Sequence, residues 1–272
     1  MTGDAGTDAG LRSSARTVEG NAGMIAVVFE GCACRAAFHA GVAEVLVSEG
    51  VPIGITAGAS SGSIVAAALA AGHGESMVDL WLRTSGRSIV SWRRALHNRS
   101  IFDMSSIVRD ALRESLGDGD LRTAPLEALC TVTRLRDLRS FVRSSRSESD
   151  FVTAVLGSCF FPVLYGRSVR VAGELVIDGG ITDNLPVAAV VARGATTVLA
   201  VVPSYDGTAL ARPLKPRVRP EDVGNGARVI TIKPARPLAV KSWDLDRERV
   251  SAAIDEGRLA ARRAVDALAR LQ

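Results

Sequence analysis

Histidine is scarce in this chain: His39, His73 and His97 are the three present, and none follows residue 97. A hydrolase that draws its base from the far C-terminal part of its sheet, in the order Ser, Asp or Glu, His, cannot be built on them. Aromatics are few, at 4% of residues, so Ala, Val and Leu must fill the core. No apolar run approaches the ~20 residues a spanning helix needs. Residues 1–22 are small, polar and of mixed charge, without the apolar stretch of a signal peptide. They read as a disordered tail ahead of a single domain over 23–272. The four cysteines, Cys32, Cys34, Cys130 and Cys159, form no CxxC pair. That argues against a zinc site and for reduced, buried thiols in a cytoplasmic protein.

Charge is present but uneven. Net charge is +4, while residues 83–149 hold thirteen Arg against eight Asp or Glu. A solvated basic face is the plain reading of this stretch. Peripheral contact with anionic lipid headgroups through 83–149 is the alternative. No nucleic-acid partner is expected. Trp81, Trp92, Ile101 and Phe102, interleaved with arginines, read as a helical cover packing its aromatics inward, or else as a lipid-facing surface.

Along the chain, Met24–Phe29 is a continuous apolar run, as expected of a buried parallel strand. A helical pattern follows over Ala36–Ser48 and stops at Gly50 with Pro52 beyond. A strand at 53–57 and a small-residue helix at 63–71 complete a β-α-β-α start, which predicts a parallel sheet with helices on its faces. Further strands are predicted at Leu129–Arg134, Thr196–Val202 and Val229–Ile232, with a hairpin over Arg167–Ile177 around Gly173. Short helices are predicted at Phe151–Gly157 and after Pro186, and a long amphipathic one over 247–271. Residues 204–227 read as a loop. No second domain or repeat is evident.

The stretch that bears chemistry is Gly58-Ala-Ser60-Ser-Gly62, between a strand and a helix. A serine on so tight a turn needs neighbours without side chains, and its hydroxyl stands above the sheet edge near a helix N-terminus. The turn is consistent with a nucleophile and equally with a plain structural corner. If Ser60 is a nucleophile it needs a base and donors for an oxyanion. His39 lies mid-helix and His73 at the far end of the helix that Ser60 opens. Asp178 is the better base: it ends an apolar strand, and Gly179 and Gly180 leave its carboxylate accessible. Gly31, with the Cys32 and Ala33 amides, lies at a strand-to-helix junction where N–H groups can converge on an anion. A dinucleotide cradle fits less well, because one glycine stands where three are needed.

Taken together, Gly31-Cys-Ala-Cys-Arg35-Ala36, Gly58-Ala-Ser60-Ser-Gly62 and Asp178-Gly179-Gly180 resemble the patatin-like phospholipase family. That family pairs a G-G-G-x-R-G loop, a G-x-S-x-G turn and a D-G-[GA] aspartate, without histidine. Cys159-Phe-Phe-Pro162 and Asp183-Asn184-Leu-Pro186 are supporting matches, and the likeness runs from about Met24 to about Arg262. It implies a three-layer α/β/α fold with a central, mostly parallel sheet and a Ser-Asp dyad. It implies a serine acyl hydrolase acting on lipid esters, above all phospholipids, with Ser60 as nucleophile and Asp178 as base. The amides of Gly31, Cys32 and Ala33, with Ser61 N–H, would hold the oxyanion, and Arg35 would brace the loop. No metal or cofactor is required. An acyltransferase and a catalytically silent acyl-binding protein are the alternatives, because Cys32, Ala33 and Ala36 replace three of the family's glycines. Cys32 would also place a thiol near the nucleophile, open to oxidation or alkylation.

Overall fold

Alternation along the central strands divides their side chains between two hydrophobic clusters. The computed structural model describes residues 23–86, 109, 113, 121–161, 168–210, 217–224 and 226–270. The tail expected at 1–22, the cover residues Trp92, Ile101 and Phe102, and His97 and Pro162 lie outside them. In β1 (Met24–Phe29), Ile25, Val27 and Phe29 face the larger cluster, while Ala26 and Val28 face the smaller. Burial on both faces is why this strand reads as a continuous apolar run. A 3₁₀ turn (Ala33–Ala36) leads into α1 (Ala37–Ser48), which begins one residue later than the sequence pattern suggests. Then come β2 (Ile53–Ala59), α2 (Ser61–Ala70) and α3 (Ser76–Thr84). The following elements are β3 (Glu127–Arg134), β4 (Arg139–Ser144), α4 (Phe151–Ser158) and the hairpin β5 (Val169–Val171) and β6 (Glu174–Ile177). The chain closes with α5 (Val187–Val191), β7 (Ala195–Val201), β8 (Arg228–Ile232) and α6 (Arg247–Ala269).

The eight strands form one sheet, hydrogen-bonded as β5-β6-β3-β2-β1-β7-β8, with β4 also paired to β3. The pairs β1–β2, β1–β7, β2–β3 and β7–β8 are parallel, and β4, β5 and β6 add antiparallel pairs. One face is covered by residues of α1, α2, α4 and α6 and the other by α5, so the sheet lies between helical layers. From β1 the chain steps outward to β2 and β3, and later returns to the other side of β1 as β7 and β8. The strand order therefore reverses at β1, and open α/β sheets bind ligands outside the carboxyl ends of their strands at such a switch point.

Trp81 packs against the larger cluster, in line with an inward-facing cover. Within the described part of the Arg-rich stretch, Arg134, Arg139 and Arg143 sit beside Asp137 or Glu148, and Arg136 beside Glu174. Arg134 also lies 4.4 Å over the Phe141 ring. Much of that positive charge is therefore answered locally. Among the described residues, no helix is long and apolar enough to cross a membrane.

Candidate active site

Two strands meet head to head to build the site. Pairing with β4 occupies one edge of β3 over Leu129–Arg134. Both β2, which pairs with Glu127–Thr131, and β6, which pairs with Thr133 and Arg134, must therefore share the other edge. β2 runs parallel to β3 and β6 antiparallel, so their carboxyl ends point at each other. Ala59 stands opposite Thr131 and Ile177 opposite Thr133. The next residues along the two strands are Ser60 and Asp178. The Ser60 hydroxyl donates to Asp178 Oδ2 at 2.7 Å.

The turn at Ser60 is strained, with φ 49° and ψ −131°, a region that side-chain-bearing residues rarely occupy. Close packing around it explains the flanking glycines. A Cβ on Gly58 would fall 2.4 Å from the Gly62 carbonyl, and one on Gly62 would fall 2.4 Å from the Phe29 carbonyl oxygen. Strand β2, helix α2 and the end of β1 thus touch backbone to backbone. Two buried serines hold the turn: Ser158 Oγ accepts the Ser60 N–H at 2.9 Å, and Ser63 Oγ donates to the Ser60 carbonyl at 2.6 Å.

Asp178 is buried, and its backbone is pinned as well as its side chain. Its N–H donates to the Phe160 carbonyl at 2.7 Å, and its carbonyl accepts the Thr133 hydroxyl at 2.8 Å. Its Oδ1 accepts the Gly180 N–H at 2.8 Å. Burial disfavours the charged form and pushes the carboxyl up to about 7, with the Ser60 and Gly180 hydrogen bonds pulling the other way. No cation among the described residues contributes to that balance. A carboxyl so placed gains affinity for a proton where the serine hydroxyl can supply one.

The loop after β1 faces this pair. Ala33 has φ 52°, so the backbone adopts a left-handed conformation there in spite of its β-carbon. Of the four amides expected at an anion site, two are engaged: Gly31 N–H donates to the Asn184 carbonyl at 3.1 Å and Cys32 N–H to Ser61 Oγ at 3.2 Å. The Ala33 and Ser61 amides each open a helical turn and have no acceptor among the described residues. Such opening amides lack an intrahelical partner by geometry. Arg35 Nε is buried with no hydrogen-bond partner among the described residues, and the Arg35 charge acts on the neighbouring Glu30, Cys32 and His39.

His39 is fully buried beside Phe29 and Phe38, with its Nε2 3.8 Å from Cys32 Sγ. Burial and the Arg35 charge lower it to about 3, so it is neutral at working pH, and it bonds neither Ser60 nor Asp178. His73 is exposed at the end of α2. Cys32 is buried too, and burial pushes its thiol up to about 12, which removes the reactive thiolate that its sequence position suggested. Among the described residues, no three His, Cys, Asp or Glu are grouped to hold a metal ion. Sequence reasoning missed Ser158, whose partner lies 98 residues away, and Glu30, a carboxyl that directly ends an apolar strand.

A serine and a carboxylate thus meet at the facing carboxyl ends of two strands of a mostly parallel sheet, with a helix starting just after the serine, in an α/β fold. Residues 27–191 match the family described as Patatin-like phospholipase, and the chain belongs to that family. It is 30% identical over 191 residues to the mouse 1-acylglycerol-3-phosphate O-acyltransferase Pnpla3, covering 65% of this chain and 43% of the mouse protein. It is 28% identical over 202 residues to the Yarrowia lipolytica lysophospholipase NTE1, covering 71% of this chain and 14% of that one. The chain thus spans less than half the length of either relative. In fold it is similar to VipD from Legionella pneumophila, with a TM-score of 0.54 and 14% identity over 90% of this chain and 67% of that one.

Proposed function

We propose that the protein is a serine acyl hydrolase that cleaves ester bonds of lipids, with phospholipids as the leading substrate class. The observation that carries the reading is the 2.7 Å hydrogen bond from Ser60 Oγ to Asp178 Oδ2 in a chain of the patatin-like phospholipase family. Ser60 Oγ attacks the ester carbonyl carbon as its proton passes to Asp178 Oδ2. The carbonyl oxygen becomes an anion, and the open Ala33 and Ser61 amides are the donors we assign to it. Collapse breaks the C–O bond, and the leaving alkoxide takes the proton from Asp178. Water then attacks the acyl-Ser60 ester with Asp178 as base, which releases the fatty acid and restores the serine. A carboxyl held near 7 suits this work better than an ordinary aspartate, because its proton affinity lies close to the working pH.

An acyltransferase is the second reading. It differs only in the second step, where an acceptor hydroxyl replaces water, and the description of the mouse relative as an O-acyltransferase favours keeping it. A panel of phospholipids, lysophospholipids and neutral glycerides, offered with and without an acceptor alcohol and read by mass spectrometry, separates the two. Release of free fatty acid that disappears in Ser60→Ala supports the hydrolase. Acyl transfer to the acceptor without free acid supports the transferase. Neither product from the folded protein leaves a silent acyl-binding protein and contradicts both.

A further inference from the structure

Glu30 is fully buried at the end of β1, next to the loop assigned to the anion. One carboxyl oxygen, Oε1, accepts the Leu210 N–H at 2.7 Å and faces Asn184 Nδ2 at 3.4 Å. The other, Oε2, is buried with no hydrogen-bond partner among the described residues. Burial pushes this carboxyl up to about 7 against the opposing pull of the Leu210 amide, Arg217, Arg35 and Asn184. It takes no part in the proposed acyl transfer, and a buried acid costs stability unless something is gained by it.

Asn184 shows what is gained. Its backbone carbonyl accepts the Gly31 N–H at 3.1 Å, and its Nδ2 donates to the Gly31 carbonyl at 2.9 Å. The peptide between Gly31 and Cys32 is thereby fixed at both ends, since its N–H is held by Ser61 Oγ at 3.2 Å. The next peptide carries the Ala33 N–H, the first left open. Asn184 stands on the same turn as Asp178, and its Oδ1 lies where Cβ atoms on Gly31 and Gly180 would fall, at 2.3 Å and 2.4 Å. One side chain therefore connects the turn that holds the base to the loop that faces the nucleophile.

We propose that Glu30 and Asn184 are positioning residues that clamp the Gly31–Cys32 peptide and so aim the Ala33 amide at the reacting carbonyl oxygen. Neither touches substrate. Glu30 orients the Asn184 amide and ties the Leu210 backbone to the same point, and Asn184 holds the peptide. The inference rests on the serine-hydrolase reading for its kinetic consequence but not for the clamp itself.

The test uses the full chain with Glu30→Gln, Glu30→Ala and Asn184→Asp, a short-chain p-nitrophenyl ester as substrate, and hydrogen exchange of the 30–36 segment. Gln keeps an acceptor for Leu210 and the neutral form that burial favours, so its kcat should stay within about threefold of wild type. Asn184→Asp is isosteric but cannot donate to the Gly31 carbonyl. Its kcat should fall by about 10²-fold, the scale of one lost oxyanion donor, with KM within about threefold. Exchange over 30–36 should quicken at least tenfold in Asn184→Asp, while the β1 segment stays as in wild type. Glu30→Ala should follow Asn184→Asp; if it fails to fold, the two isosteric variants decide. Wild-type kcat and wild-type exchange in Asn184→Asp would overturn the proposal. If the wild-type protein shows no Ser60-dependent turnover, the hydrolase reading has failed, and the exchange arm still decides the clamp. Unchanged exchange then overturns the clamp, and quickened exchange upholds it.

Discussion

Ala33 and Ser60, on the two sides of the candidate site, share a positive backbone φ, 52° and 49°. Each carries a β-carbon that this conformation disfavours, by about 1 kcal/mol or more. The site therefore holds strain that the rest of the fold offsets. Ser60→Gly should be more stable than Ser60→Ala by about 1 kcal/mol, since glycine relieves the conformation at a smaller entropic cost. Ala33→Gly should likewise stabilise, by about 0.5 kcal/mol, with kcat within a few-fold of wild type. Urea unfolding measures both. Equal stability of the two Ser60 variants would show that the turn is unstrained.

Activity should rise with pH through about 7, the value to which burial pushes Asp178. The carboxylate is the proton acceptor, so the protonated form is inactive and the rate levels off on the alkaline side. Glu30 titrates in the same range. Measuring kcat/KM from pH 5 to 9 in wild type and in Glu30→Gln assigns the limb, which should persist in the variant. A flat profile in both would contradict Asp178 as the base.

Stability should move the other way. The folded pKa of Asp178, about 7, lies above its ordinary value of 3.8, so the folded state binds more protons between those two values. Stability is then greatest below about pH 4 as far as this group is concerned, and it is lost as pH rises to about 7. Asp178→Asn removes the titration. It should gain on wild type as pH rises through that window, by at most roughly 4 kcal/mol at about 1.4 kcal/mol per pKa unit. Urea unfolding at pH 5 and pH 8 gives the comparison. A gap between the two proteins that is the same at both pH values would mean that the carboxyl is not held neutral by the fold.

The thiols should be inert in the native protein. Cys32, Cys34, Cys130 and Cys159 are all free and buried, and burial raises every one of them. Iodoacetamide at neutral pH should leave them unmodified and the activity intact until the protein is unfolded. Rapid modification of Cys32, read by mass spectrometry, would show that the loop opens.

The sequence was most legible where the signal was local. Alternating and continuous apolar runs located β1, β2, β3, β7 and β8, and the capping Asp246 marks where α6 begins. The edge strand β4, Arg-Ser-Phe-Val-Arg-Ser, went unread because its arginines suit a solvated face as well as a strand edge. Ser60 and Asp178 stood out through their neighbouring glycines, but the head-on meeting of β2 and β6 depends on β4 filling the far edge of β3. The Glu30–Asn184–Gly31 contacts join residues about 150 positions apart, and those between Glu30 and Leu210 are 180 apart. Contacts of that range leave no periodic trace along the chain. The substitution of Ala33 for a family glycine was visible, whereas the outcome, a backbone that takes the positive φ regardless, was not.

Whether Ser60 is a nucleophile served by Asp178 is read most directly from the site and rate of labelling by a fluorophosphonate, followed by intact-mass and peptide analysis. One adduct is expected, on Ser60 and absent in Ser60→Ala, with labelling slowed about 10²–10⁴-fold in folded Asp178→Asn, the scale of losing a general base. An adduct on another residue, or an Asp178→Asn variant that labels at the wild-type rate, would contradict that assignment.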